Sequence, residues 1–165
     1  MSSEPAATLT LLTEFYDEKL SALLQHQANA RLVEQYDANN AYQYIINREE
    51  VQLGWLASAI ADGGGIVPET AQTPSAAPAK VKDAGHALFE NDAQGAQQFL
   101  DRWRPRVDAM DHARHRAMLR VILGETREQQ RFFEQALAGR TDLLGRRGAA
   151  AGPAQGEVLP ARWIE

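Results

Sequence analysis

Asn47-Arg48-Glu49-Glu50-Val51-Gln52-Leu53-Gly54-Trp55-Leu56 is the stretch on which the fold turns. Around it Tyr42, Ile45, Ile46, Leu53, Leu56 and Ile60 recur at three- and four-residue spacings, which mark one face of an α-helix. Glu49 and Gln52 lie on that same face. A carboxylate and a carboxamide turned into an apolar seam are costly unless other groups meet them. The partners must come from other helices.

On the N-terminal side, the pattern predicts a helix from about Ala6 to Tyr36, entered through Pro5. Its stripe is Leu9, Leu12, Phe15, Tyr16, Leu20, Leu23 and Leu24, with Glu14, Asp17, Glu18, Ser21 and Gln25 on the wet side. Lys19 interrupts the stripe, set among Leu12, Phe15, Tyr16, Leu23 and His26 at helical spacing. Taken alone, such a lysine is expected to lay its stem on the core and put its ammonium in water. Asp37-Ala38-Asn39-Asn40 reads as a turn with its own capping side chains. The second helix then runs to about Asp62, where Gly63-Gly64-Gly65 stops it. So short a link makes the two helices an antiparallel pair.

Residues 66–80 carry three prolines and little that could enter a core. Together with the glycines they exceed any tight hairpin. A helix of about 23 residues is roughly 35 Å long, and about 18 extended residues reach roughly 60 Å. The connection can therefore travel the length of a bundle and start a third helix parallel to the second. That third helix is predicted over about Val81–Arg104, with Leu88, Phe89, Ala93, Ala96, Leu100 and Trp103 inward and Pro105 ending or kinking it. A fourth, capped by Asp108 or Asp111, runs to about Ala138 and stops at Gly139. Its stripe of Met118, Leu119, Ile122, Leu123, Phe132, Phe133 and Leu137 again holds polar residues in line, Thr126 and Gln129. The reading is all-α: a four-helix bundle over residues 1–139 and a C-terminal tail, partly extended, over 140–165.

Composition narrows the chemistry. At 165 residues one core is expected, and 44% hydrophobic with 24% charged residues is ordinary for a globular domain. There is no cysteine, which removes disulfides, thiolate metal sites and cysteine nucleophiles. A net charge of −5 offers nucleic acid no attraction. No membrane span is expected, and a cytoplasmic location is. No glycine-rich phosphate loop and no serine–histidine–aspartate pattern appears. His112 and His115 lie at the start of the fourth helix without an inward carboxylate, and His86 has the spacing of a surface pair with Glu90. His26 reads as a core polar group.

Four long helices with one long crossover between the second and third resemble the ferritin-like superfamily of the bacterioferritin and rubrerythrin type. The likeness covers residues 6–138. Lys19-Leu-Ser-Ala-Leu-Leu-Gln25-His26 is similar to that family's first-helix Glu-Leu-x-Ala-x-x-Gln-Tyr. Glu49-Glu50-Val51-Gln52 and Glu125-Thr126-Arg127-Glu128-Gln129 fall where the family has its two Glu-x-x-His motifs, and Ala93 falls where it has a bridging glutamate. The resemblance implies an up-down bundle and a di-metal centre held by a glutamate from each of two helices and a Glu-x-x-His from each of the others.

Carried over position by position, the ligands become Lys19, Glu49, Gln52, Ala93, Thr126 and Gln129, of which Glu49 alone is a carboxylate. Neutral amides and a lysine are poor replacements for carboxylate and imidazole. The expectation is therefore no metal, no cofactor and no catalytic residue, with a Lys19–Glu49 ion pair hydrogen-bonded to Gln52 and Gln129 as the polar core. The function expected is a non-enzymatic oligomerising or partner-binding scaffold. The alternative is an iron or manganese oxidoreductase or storage protein with a rearranged site built from Glu18, Glu50, Glu90, Asp92, Glu125 or Glu128. Ordinary solvation explains those residues instead. A third reading is a small-ligand binder using space opened by Ala93. Val158, Leu159, Trp163 and Ile164 suggest that the tail docks on the bundle, on a second copy in a homodimer, or on another protein. Arg140-Thr-Asp-Leu-Leu-Gly-Arg-Arg-Gly is similar to the cargo-loading tails of ferritin-like proteins packaged in encapsulin shells.

Overall fold

The computed structural model describes residues 3–69, 84–140 and 142–144, and among these the only regular elements are four helices. They are α1 (Ser3–Ala30), α2 (Tyr36–Asp62), α3 (Ala84–Asp108) and α4 (Ala113–Leu137). No helix among the described residues is long and apolar enough to cross a membrane.

Three boundaries differ from the sequence reading. α1 stops at Ala30 and Tyr36 already opens α2, so Asp37–Asn40 is the first turn of α2 and not a loop. Gln35 is the cap, its side chain accepting from Ala38 N at 2.6 Å. Asn39 serves the end of the other helix and the turn after it instead, donating to Ala30 O at 2.8 Å and to Val33 O at 3.5 Å. A polar residue that satisfies orphan carbonyls of a neighbour looks, in sequence, like a turn former.

At the next boundary, α3 runs through Pro105 to Asp108. Proline removes one donor and disturbs one turn. Buried Trp103 and Val107 on either side hold the helix on course. Finally, α4 is capped by His112, whose Nδ1 accepts from His115 N at 3.3 Å, and not by Asp108 or Asp111.

The glycine stops behave as the sequence suggests. Gly64 and Gly139 take φ values of 80° and 83°, and Gly65 N and Arg140 N reach back five residues to Ile60 O and Gln135 O. Both are Schellman endings, in which a left-handed residue turns the chain so that the last carbonyls find donors.

Helix directions follow from which residues meet. Asn39 touches Ala30 while Gly63 packs near Leu9, so α1 and α2 are antiparallel. Gln130 bonds Gln97 and Arg120 bonds Asp108, so α3 and α4 are antiparallel. Glu18 pairs with Arg102 and Asn29 with Asp92, so α1 and α3 are antiparallel too. Tyr42 meets Phe133 and Gln52 meets Glu125, which sets α2 against α4 in the same sense. It follows that α2 and α3 point the same way, and the residues joined by 63–83 lie at opposite ends of the bundle.

The core has two aromatic halves. Phe15 stands edge-on to Trp103 and Phe99 in one, with ring centroids 4.9 and 5.2 Å away. In the other, Tyr42 packs on Phe133 and Phe89 at 5.4 and 6.1 Å. Such offset and edge contacts favour a defined packing over a merely greasy one. Between the halves lies a layer of charge.

Candidate functional site

That layer consists of the buried polar residues Lys19, His26 and Asn29 of α1, Glu49 and Gln52 of α2, Asp92 of α3, and Thr126 and Gln129 of α4. Lys19 does not reach water. Its side chain is 2% exposed, and Nζ sits 3.4 Å from Glu49 Oε2 and 5.4 Å from the Phe99 ring centre. Its stem starts at the middle of the α1 face turned toward the bundle interior, beside Glu49 of α2 and Phe99 of α3. The ammonium is held by its counter-ion and by the ring face.

Glu49 has a second and closer partner. His26 Nδ1 hydrogen-bonds Glu49 Oε1, and His26 Nε2 lies 3.9 Å from Asp92 Oδ1. Asp92 in turn accepts from Asn29 Nδ2 at 2.9 and 3.1 Å and from the Tyr42 hydroxyl. Lys19, His26, Glu49 and Asp92 therefore form one buried cluster, with Asn29 and Tyr42 as neutral donors.

The electrostatics are self-consistent. Burial would raise the Glu49 carboxyl, but His26 and Lys19 outweigh it and hold the group below its ordinary range. Burial would lower His26, but Glu49 and then Asp92 outweigh it, against a smaller opposing push from Lys19, and the imidazole is raised. Burial and the neighbouring Asp92 both push the Tyr42 hydroxyl up, so it stays a donor.

The other expected members of the polar core are placed differently. Gln52 is fully buried but turns its amide nitrogen to Glu125 rather than Glu49. Glu125 also takes Arg48 Nε at 3.1 Å. Thr126 returns its hydroxyl to Ile122 O at 2.9 Å, within its own helix. Ala93 is buried at 8% exposure. Gln129 Nε2, Gln52 Oε1 and Glu49 Oε2 have no hydrogen-bond partner among the described residues; for Glu49 Oε2 the lysine at 3.4 Å is an ion-pair neighbour only. Each such atom costs about 1–3 kcal/mol if nothing else meets it.

Three carboxylates expected as solvated are not. Asp92 is buried, Glu125 is half-buried against Arg48 and Gln52, and Glu18 takes the Trp103 indole N–H and Arg102. Tyr42 already stands on the α2 stripe, while Asn29 and Asp92 fall at helical spacing with buried neighbours, a signal that the adjacent Ala93 masks in the case of Asp92. Leu88, Asp92, Ala96, Phe99 and Trp103 step by three and four, as do His26, Asn29 and Val33. Glu50, Glu90 and Glu128 are exposed, as expected.

A cleft of about 660 Å³ opens onto this layer between α1 and α3, with Lys19, His26, Thr126 and Gln129 among its lining and Ala22, Gly95 and Ala96 at its sides. No protein-family model, no curated protein and no solved structure matches the chain. The site must be read from its own chemistry.

For a metal, that chemistry does not fit. At the positions where the resemblance implies six ligands stand one carboxylate, two amides, a hydroxyl, a methyl group and an ammonium. Among the described residues no group of three or more His, Asp or Glu is arranged to hold a cation. The ammonium lies against the one remaining carboxylate, where it repels a divalent ion. Of the tail, the description reaches Leu143, which is buried, and Leu144; Val158, Leu159, Trp163 and Ile164 and most of the encapsulin-like stretch lie outside the described residues.

Proposed function

We propose that this chain is a ferritin-like bundle of the bacterioferritin and rubrerythrin type in which a fixed ion cluster stands in for the di-metal centre, and that it works as a non-enzymatic scaffold in the cytoplasm. The observation carrying this reading is the Lys19–Glu49 pair, at 3.4 Å with both side chains at most 2% exposed. Removing metals from a carboxylate site leaves uncompensated buried anions, which are strongly disfavoured. A lysine at the first-helix ligand position supplies the missing charge, and His26 adds a second cation. The α2 and α3 directions are those that a ferritin-like crossover requires, which supports the same assignment.

A scaffold needs a surface. Tyr44, Val51 and Trp55 line one side of α2 at helical spacing and are 41%, 43% and 38% exposed, and Val121 of α4 is exposed as well. This face supports association of two copies in a homodimer.

Metal analysis of protein purified without chelators tests the reading. The expected result is less than stoichiometric iron and manganese, together with a dimer in sedimentation. Stoichiometric iron or manganese that His26→Ala and Glu49→Ala both abolish would overturn it in favour of a di-metal oxidoreductase or storage protein with a rearranged site.

A further inference from the structure

Two of the polar contacts between α1 and α3 bracket an opening: Glu18 with Arg102 and Trp103, and Asn29 with Asp92. Between these contacts Ala22 on α1 and Gly95 and Ala96 on α3 are too small to close the gap. The result is the 660 Å³ cleft, within the size range of sites for small organic molecules. It reaches through the bundle to α4, where Gln129 forms part of its floor.

The floor is rich in donors. Gln129 is 4% exposed and its Nε2 has no partner among the described residues. Lys19 Nζ has three hydrogens and one loosely held acceptor, Glu49 Oε2 at 3.4 Å. The two negative groups nearest the floor, Asp92 and Glu18, are already engaged. Asp92 takes Asn29 and Tyr42, and Glu18 takes Trp103 and Arg102, while Asp17 stays at the half-exposed mouth. Phe99, Leu88, Ala22 and Ala96 give the cleft an apolar strip, flanked by polar side chains such as Ser21, Gln25, Asn91 and Gln98.

We propose that the α1–α3 cleft binds a small monocarboxylate with an apolar body, its oxygens taken by Gln129 Nε2 and Lys19 Nζ and its body lying against Phe99 and Ala96. The carboxylate supplies the acceptor that Gln129 Nε2 lacks and a further one for Lys19 Nζ beside Glu49, and charge-assisted bonds to an ammonium in a low-dielectric site are the strong ones. The strip of Phe99, Leu88, Ala22 and Ala96 favours an apolar body over a formate-sized anion, which leaves it wet. This inference stands on the cleft and not on the scaffold reading: a metal bound elsewhere in the bundle leaves it intact, and a dimer with no ligand leaves the scaffold reading intact.

Octanoate, with octan-1-ol and octanamide as same-length controls, probes the site in the full-length protein by calorimetry and by the Gln129 side-chain amide signal in NMR. Octanoate is expected to bind one per chain, about tenfold more tightly than either control, a difference typical of losing one charged hydrogen bond. Gly95→Leu fills the cleft where an added Cβ meets nothing within 4 Å, so the protein should fold and octanoate binding should vanish. Gln129→Leu should weaken octanoate about fivefold or more, and octan-1-ol little. Binding of octan-1-ol as tight as octanoate, unchanged octanoate binding in Gly95→Leu, or no octanoate binding at millimolar concentration would each overturn the proposal.

Discussion

Replacing Lys19 by Met removes the ammonium 3.4 Å from Glu49 Oε2 while leaving the His26 contact in place. Breaking a buried pair from one side typically costs about 3 kcal/mol or more, because the other charge stays buried. Lys19→Met is therefore expected to lower stability by about that much, and Lys19→Met with Glu49→Gln by clearly less than the two single losses summed. Additive losses in chemical denaturation would show that the residues are not coupled. His26 gives the same cluster a pH signature. Its raised pKa contributes stability that is complete below its ordinary 6.5 and is lost as pH rises through the raised value. Glu49, held low, contributes stability that is complete above its ordinary 4.5 and is lost as pH falls through the lowered value. The thermal midpoint should therefore be level between those values and decline on both sides, and His26→Gln should flatten the alkaline limb. A midpoint that does not fall on that side in the natural chain would contradict a buried His26–Glu49 ion pair. Lys19 and Glu49 stood out from the sequence because charge on an apolar stripe is conspicuous. Asp92 did not, because its neighbour Ala93 satisfies the same stripe and a single helix cannot say which of two adjacent residues meets three partners from elsewhere.

At the scale of the helix, the repeating apolar positions made all four segments recognisable, since burial of one face is what holds these helices. The ends were less so. Gln35 caps α2 with an amide where the sequence offered Asp37 and Asn39, and Asn39 spends its side chain on the end of α1 and the turn after it. Such choices depend on a neighbour's position, which local chemistry does not contain. Two glycines deep inside helices serve neither ending. An added Cβ at Gly54 of α2 or Gly124 of α4 meets nothing within 4 Å, and both are exposed. Glycine in a helix interior is roughly 0.5–1 kcal/mol worse than alanine. Gly54→Ala and Gly124→Ala should each stabilise by about that amount in denaturant titration. A loss at either position would mean that its surface is covered by something else, such as a second copy of the chain.

Across the whole molecule, each half of the bundle is continuous in sequence: α1 with α2, and α3 with α4. Contacts inside each half are local, and local contacts form quickly because little chain must be closed. The parallel course of α2 and α3 has a consequence for how the halves recognise each other. Lys19, His26 and Glu49 all belong to the first half, so that half presents a net positive patch when His26 is protonated, whereas the second half brings Asp92 to meet it. Around the edge, Arg102 and Arg106 of the second half reach Glu18 and Glu14 of the first at 3.0 and 2.7 Å. On this account the two halves attract each other without help from the covalent link between α2 and α3. A chain cleaved between Ala77 and Pro78 is expected to reassemble from its two fragments into a one-to-one complex with restored helical circular dichroism and a cooperative melt. Asp92→Asn in the second fragment should weaken that reassembly, as should added salt through the edge pairs. Fragments that stay apart would show that the covalent link, and not this mutual attraction, keeps the halves together.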